Sequence, residues 1–337
     1  MNGVVVVRDE AGLQALVPAW QALWRSLPGA SPFASPAWLV PWWRQFGTGA
    51  PRVVVRWGGE GRPGSCPGPA HAEGATPALL SLLALYEIDD AHGRRLLPMG
   101  VGLSDHLDAL GAAEGLLEAV LDGEAACDLP DLAPGAGLLG AALPAGWEET
   151  GWIGDPCPVL ALPGSFEALL SGVSRGTRRY WQEARKRAGE VRVERAGRDI
   201  GVEAALDTLF ALHALRWQAR DEAGVLADPR VQAFHREAAP GLLAEGALRL
   251  EVLRVEGRVA AAHLSLLSEG RLLHYLTGFD PALEAVRPGT LLLGHLIGEA
   301  IEEGRRELHF LRGAEGYKYA WGGVDRMNVG RRLRWGT

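Results

Sequence analysis

The sequence predicts an α/β (α+β) chain built as two units, each a mixed, mainly antiparallel sheet flanked by helices and containing a parallel crossover. Three observations predict it. Apolar residues make up 47% of the 337 residues, enough for two sizeable cores in a chain of this length. Strand-like and helix-like segments alternate on both sides of a Gly- and Pro-rich stretch at 146–163. Three apolar runs joined by tight turns then lead into a strand, a helix and a second strand between Arg271 and Leu311, the pattern of a right-handed parallel unit. The composition shift puts the domain boundary near Val159, giving units 1–158 and 159–337.

The first unit opens with a β-branched strand, Val4–Val7. A helix follows over Ala11–Trp24, with Leu13, Leu16, Trp20 and Leu23 at helical spacing. Ser35 is placed to cap a second helix, with Pro36 at its first position. Trp38, Trp42, Trp43 and Phe46 on that helix read as core, or as the lining of a groove. Strands are predicted at Arg52–Trp57 and, as a near-continuous apolar run, at Ala78–Tyr86. The stretch 58–77 between them is a loop holding Cys66 and His71. Asp105, His106 and Asp108 follow a Gly-rich turn and make either a metal or acid–base cluster or a capped turn. Helices are predicted at Ala112–Leu121 and Ala136–Leu143, with a strand at Cys127–Leu132 between them.

In the second unit Ser165 caps a helix through Leu170. Arg175–Arg198 holds nine basic residues and three Glu. It is either a solvated amphipathic helix packed through Tyr180, Trp181 and Ala184, or a positive wall for a large anion. Helices follow at Gly201–Arg220 and Pro229–Glu245. Strands Leu248–Val255, Arg258–Ser268 and Arg271–Phe279 are joined at Glu256-Gly257 and Glu269-Gly270. His263, His274 and Tyr275 sit mid-strand, and strand parity sends His274 and Tyr275 to opposite faces.

The chemistry centres on the loop 280–289 and the helix after it. Pro288 suits a helix start, Gly289 admits close approach to the backbone, and Arg287 adds a positive charge. Free N–H groups at the positive end of the helix dipole would complete a phosphate seat. The same residues also make an ordinary helix start.

The run FDPALEAVRPGTLLLGHLIGEAIEEGRRELHFLRGAEGYKYAWGG resembles the C-terminal part of the CelD-like, BioF2-like acetyltransferases of the GNAT superfamily. Phe310, Leu311, Arg312, Gly313, Glu315, Tyr317, Lys318 and Trp321 carry the likeness, and the "SPF-SP-W" wording after residue 30 extends it to the N-terminal half. The resemblance implies two GNAT-like domains, the C-terminal one active and the N-terminal one substrate-binding or non-catalytic. It implies acetyl-CoA or another acyl-CoA as co-substrate, with the diphosphate at Arg287, Pro288, Gly289 and Thr290. The pantetheine arm would pair with Leu276, Thr277 and Gly278 where two parallel strands part. Asp280 and Glu315 would take the amine's proton, and Lys318 or Tyr317 would polarise the carbonyl or bind an acidic substrate. Asp105, Asp108, Tyr275 and Arg312 would meet the acceptor, a small-molecule or cell-envelope sugar amine. The general GNAT phosphate loop carries more glycines than the single Gly289 here. The related Fem-type transferases share the fold and use aminoacyl-tRNA, and a binding protein that keeps only the fold is a third reading.

A formal charge of −7 argues against a dedicated nucleic-acid binder, although a second basic cluster lies between Arg305 and Arg334. Cys66, Cys127 and Cys157 show neither metal spacing nor a disulfide framework. No metal, no membrane insertion and a cytoplasmic location are therefore expected.

Overall fold

The computed structural model describes residues 3–58, 77–91, 93–123 and 125–336. Cys66 and His71 lie outside the described residues. The chain forms two compact units, Met1–Asp155 with Met327–Thr337, and Pro156–Arg326. In chain order the first half contains β1 (Val4–Val7), α1 (Glu10–Ser26), α2 (Pro36–Phe46), β2 (Ala50–Trp57), β3 (Leu79–Asp90), β4 (Gly93–Pro98), β5 (Leu110–Gly111), α3 (Leu116–Val120), β6 (Ala126–Leu132) and β7 (Trp147–Ala161). The second half contains α4 (Phe166–Gly172), α5 (Arg175–Ala188), β8 (Val191–Arg195), α6 (Val202–Gln218), α7 (Pro229–Ala244), β9 (Leu248–Val255), β10 (Arg258–Ser268), β11 (Arg271–Phe279), α8 (Pro288–Glu302), β12 (Glu307–His309), α9 (Gly316–Ala320) and β13 (Val324–Trp335).

In the first unit the strands run β1-β2-β3-β4-β6-β13. β1 with β2, β2 with β3, β3 with β4 and β6 with β13 are antiparallel, and β4 with β6 is parallel, with register Arg95↔Ala126 and Leu96↔Cys127. Apolar residues from both the sheet and α3 fill the core, among them Leu85, Leu96, Leu116, Leu129 and Leu333. The aromatic helix α2 is core. Trp38 is fully buried, and its indole N–H donates to Ser104 Oγ at 2.9 Å. Ser35 caps α2 through Trp38 N–H, and Pro36 takes the first position, as the sequence predicts.

Two predicted helices of this unit shrink. Only Leu116–Val120 is helical within 112–121, because Gly115 takes a left-handed φ of 69° immediately before it. Only a 3-10 turn, Gly137–Leu139, forms within 136–143. There the Asp108 carboxylate accepts the N–H groups of Gly137 and Leu138 at 2.8 and 3.0 Å, so a side chain takes the place of a helical carbonyl.

The second unit has the strand order β7-β12-β11-β10-β9-β8, using the last part of β7. β12 pairs antiparallel with β7 through Leu308↔Leu160, and parallel with β11 through Leu272↔Leu308. The remaining pairings are antiparallel. Leu272, Leu293, Ile297, Leu308, Phe310 and Trp321 form one core, and Leu253, Ala260, Leu291 and Leu296 lie in another. The turn Glu256-Gly257 has φ of 48° and 73°, the left-handed pair that a two-residue hairpin needs. Among the described residues each unit therefore holds one parallel strand pair beside antiparallel ones.

Candidate active site in the second unit

Pairing between β11 and β12 stops at Leu273↔His309. β11 runs on to Phe279 against β10 alone, so its other edge is open from His274 onward. Asp280 N–H donates to Ala260 O across that hairpin at 2.9 Å. By alternation, Gly278 and Leu276 also aim their backbone groups at β10, while Thr277 and Phe279 present theirs to the open edge. Arg216 agrees with this parity, donating from Nη1 to Thr277 O at 3.0 Å.

A cleft of about 520 Å³ lies along this edge. Thr277, Arg287, Pro288, Gly289 and Thr290 of the predicted cofactor residues line it, together with Tyr317 of the predicted catalytic set. The structure thus gathers the helix start, the open strand edge and one candidate side chain around one space. Leu276 and Gly278 do not line it. A Cβ at Gly278 would meet His213 N at 2.5 Å and the backbone of Leu212, so this glycine serves the packing of α6 on β11.

At the far end of the cleft α8 begins with Pro288, and Arg287 is its N-cap at φ 54°. A left-handed arginine is a strained backbone held by its surroundings. Its Nη1 donates to Tyr180 O at 2.9 Å, its guanidinium lies 3.5 Å from the Tyr180 ring centroid, and Glu183 Oε2 is 3.5 Å away. Arg287 therefore ties the start of α8 to α5. Thr290 and Leu291 N–H both turn back to Arg287 O, at 3.0 and 3.1 Å. Gly289 is left as the outward-facing donor of the first turn.

At the other end stand His274 and Tyr317, with ring centroids 6.1 Å apart. A bulge in β11 puts His274 on the cleft side. The β10–β11 register passes from Leu264↔Leu276 to Ser265↔His274, leaving Tyr275 as the extra residue. His274 and Thr277 thereby share a face despite their odd spacing, with Thr277 Oγ1 3.5 Å from His274 Nε2 and 2.7 Å from His263 Nδ1. Tyr275 does not line the cleft and packs beside His235 at 5.8 Å. Burial, reinforced by the Lys318 charge, pushes the His274 imidazole down to about 3, so it is neutral near pH 7. Burial pushes the Tyr317 hydroxyl up, as does the nearby Glu315 carboxylate, so it keeps its proton. Sequence parity allowed His274 into the cleft without deciding it. Arg216 and Arg220, also on its wall, were missed: inside a long predicted helix nothing marks which turn faces an open strand edge.

The remaining candidates are placed elsewhere. Lys318 is 2% exposed, and its Nζ donates to Leu311 O, Arg312 O and Gly313 O at 3.2, 2.7 and 3.1 Å, with Glu315 Oε2 at 2.8 Å. With every donor of the ammonium engaged, Lys318 does not reach the cleft; it shapes the loop 311–315. Glu315 is its ion partner and points to solvent. Arg312 contributes that loop carbonyl and does not line the cleft. Asp280 accepts Ala282 N–H at 2.9 Å and caps the 3-10 turn Pro281–Val286, outside the cleft lining. In the first unit Asp108 is taken up by three backbone N–H groups. Asp105 is buried, with its carbonyl accepting from Asn328.

Residues 171–319, which hold every residue lining the cleft except Trp321, match the family model described as "Acetyltransferase (GNAT) domain". Among solved structures the chain resembles FemX, at 12% identity and TM-score 0.63, covering 94% of this chain and 95% of that one. It also resembles a conserved protein of unknown function from Bacteroides thetaiotaomicron, at 10% identity and TM-score 0.58, covering 98% and 100%. L-PGS from Bacillus licheniformis matches at 13% identity and TM-score 0.50, over 77% and 82%. These likenesses are of fold. No curated protein matches the sequence. Among the described residues no helix is long and apolar enough to cross a membrane.

Proposed function

We propose that the second unit is an acyl-CoA-dependent N-acyltransferase, of the CelD-like, BioF2-like kind that the wording around Phe310–Lys318 resembles. Acetyl-CoA is its donor and a small-molecule or cell-envelope sugar amine its acceptor, in the cytoplasm. One observation carries this reading: the cleft joins the N-terminus of α8 to a strand edge where alternation turns the Thr277 N–H away from β10, both inside the matched segment. The diphosphate sits at Gly289 N–H, Thr290 and Arg287, and the arm runs along β11 as an added strand would. Arg216 already fills Thr277 O, so the arm pairs through N–H donors of that edge. The first unit, residues 1–158 in the sequence division, has a substrate-binding or non-catalytic role.

In the transfer step the amine nitrogen attacks the thioester carbonyl, a C–N bond forms and the C–S bond breaks. Tyr317, a phenol that holds its proton near pH 7, gives that proton to the departing thiolate. The amine's own proton leaves through neutral His274 or water, and Tyr317 is restored. Calorimetric titration with CoA tests the reading. Wild type should bind, and Arg287→Ala should bind about tenfold more weakly, in the range of one lost charged contact. No heat and no thermal shift at millimolar acetyl-CoA would end it.

A second reading, Fem-type transfer from aminoacyl-tRNA, is favoured by one observation. Helix α5 exposes Arg175, Arg179, Arg185, Lys186 and Arg187 beside Tyr180 at the cleft wall. A steeply salt-dependent affinity for tRNA, with no CoA binding, would select it.

A further inference from the structure

Most arginines of the second unit have a carboxylate. Arg195 meets Glu251 and Glu299, Arg249 meets Glu299 and Glu303, Arg254 meets Glu194, and Arg326 meets Glu307. Arg287, on the cleft wall, has Glu183. Arg216 differs. It is half-buried on the same wall, and among the described residues no carboxylate lies within ion-pair distance of it. Its Nη1 is bound to Thr277 O, and its Nε is buried without a partner. Phe279 and Trp217 flank the guanidinium at 5.0 and 5.8 Å, fixing its plane. Arg220, one turn on and also lining the cleft, lies against the other ring contact, Trp217, at 5.6 Å. Two like charges on one wall raise each other's cost. Glu315 acts on Arg216 only from beyond ion-pair distance and is itself held by Lys318, so an anion brought by a ligand would stabilise this partly desolvated cation. The C-terminal end of α6 favours cations; that accounts for exposed Arg220 but not for holding Arg216 inside a cleft.

We propose that Arg216 and Arg220 form the subsite for an acidic group carried by the acceptor, so that the substrate is an amine bearing a carboxylate or a phosphate. This rests on the acyltransferase reading for the cleft but not on which donor fills it. Under the proposed function the donor's phosphates are assigned to Gly289 and Arg287 at the start of α8; Phe279 adjoins both places, its ring 3.3 Å from a Cβ built at Gly289 and 5.0 Å from the Arg216 guanidinium. Arg216 instead stands at Thr277, whose hydroxyl lies 3.5 Å from His274 Nε2, the side chain the proposed transfer step uses. A planar guanidinium held by a carbonyl and two rings presents its remaining N–H groups as a fixed fork, suited to two acidic oxygens.

Three matched amines test it: β-alanine, phosphoethanolamine and ethanolamine, which share a two-carbon amine and differ in the terminal group. Binding to the full-length protein is read by ligand-observed NMR, with and without saturating CoA, and CoA binding is read separately by calorimetry. The expected result is at least tenfold tighter binding of one or both acidic amines than of ethanolamine. Whichever acid binds better identifies the headgroup. Arg216→Gln should abolish that preference and leave ethanolamine binding unchanged, whereas Arg216→Lys should keep part of it. Arg220→Gln, at an exposed position that does not endanger folding, should weaken the preference in the same direction. Equal binding of all three amines overturns the inference. So does a preference that survives both Gln variants, or an Arg216→Gln variant that loses CoA instead. Failure of wild type to bind CoA, with the acidic preference intact, would overturn the donor assignment and leave this subsite standing.

Discussion

Lys318 brings one ammonium to three backbone carbonyls and a carboxylate while almost wholly buried. Replacing it with Met strands those carbonyls, and the expected loss is about 3 kcal/mol of stability, seen as a lower denaturant midpoint at unchanged m-value. Tyr317 has the opposite profile. Tyr317→Phe keeps the ring against His274 and Phe310 and removes only the hydroxyl, so stability should change little. Turnover should fall about a hundredfold at unchanged KM, as for loss of a proton donor. Tyr317 and Lys318 are neighbours in the short helix α9, and their letters alone do not separate their roles. What separates them is that Leu311 and Gly313 adopt φ of 59° and 111°, which turns their carbonyls inward onto the lysine. Sequence periodicity carries no information on such dihedrals, so the site was legible as a region and not as a division of labour.

At the scale of elements, the strand–helix–strand unit was readable because its signals are local. Hairpin turns, a Pro-initiated helix and short apolar runs each leave a mark in the letters. The bulge at Tyr275 leaves none, and it decides which side chains face the cleft. The tight contact of α6 with β11 was equally silent. Gly278→Ala should cost about 2 kcal/mol, because the new methyl meets backbone at 2.5 Å and overpacks a closed interface. Thermal unfolding measures it, and a neutral result would mean that α6 can shift away. At the start of α8, Arg287→Gly should relieve about 1 kcal/mol of left-handed strain while removing a cation from the donor seat. The expected outcome is little change in melting temperature together with weaker CoA binding.

For the molecule as a whole, burial sets the dependence of stability on pH. It pushes His213 down to about 4 and both His235 and His274 down to about 3. The unfolded chain binds protons at these sites near pH 6.5, so it holds more protons than the native state below that pH. Stability is then full above about 6.5 and falls as pH drops toward 3, at up to about 1.4 kcal/mol per pH unit for each histidine. Glu251 works against this trend between its ordinary range and 7: burial, with Glu299 beside it, raises it to about 7, and its charging disfavours the native state as pH rises. Three histidines outweigh one carboxyl, and urea midpoints should fall steeply from pH 7 to pH 5. The two units share a strand plan with one parallel pair each, yet no repeat is visible in the letters. Strand order depends on alternation and backbone pairing, which many unrelated sequences satisfy. For the same reason, the β13 strand at the chain's end, which pairs with β6 of the first unit, was not foreseen from composition.

Arg287 is occupied twice over, by a ring and carbonyl of α5 and by the Glu183 carboxylate at 3.5 Å. Glu183 is thus an internal rival to any phosphate arriving at the start of α8. Neutralising it as Glu183→Gln should raise CoA affinity and flatten its dependence on salt, because the incoming anion no longer displaces a resident one. The empty protein would forfeit a clasp between two helices in exchange.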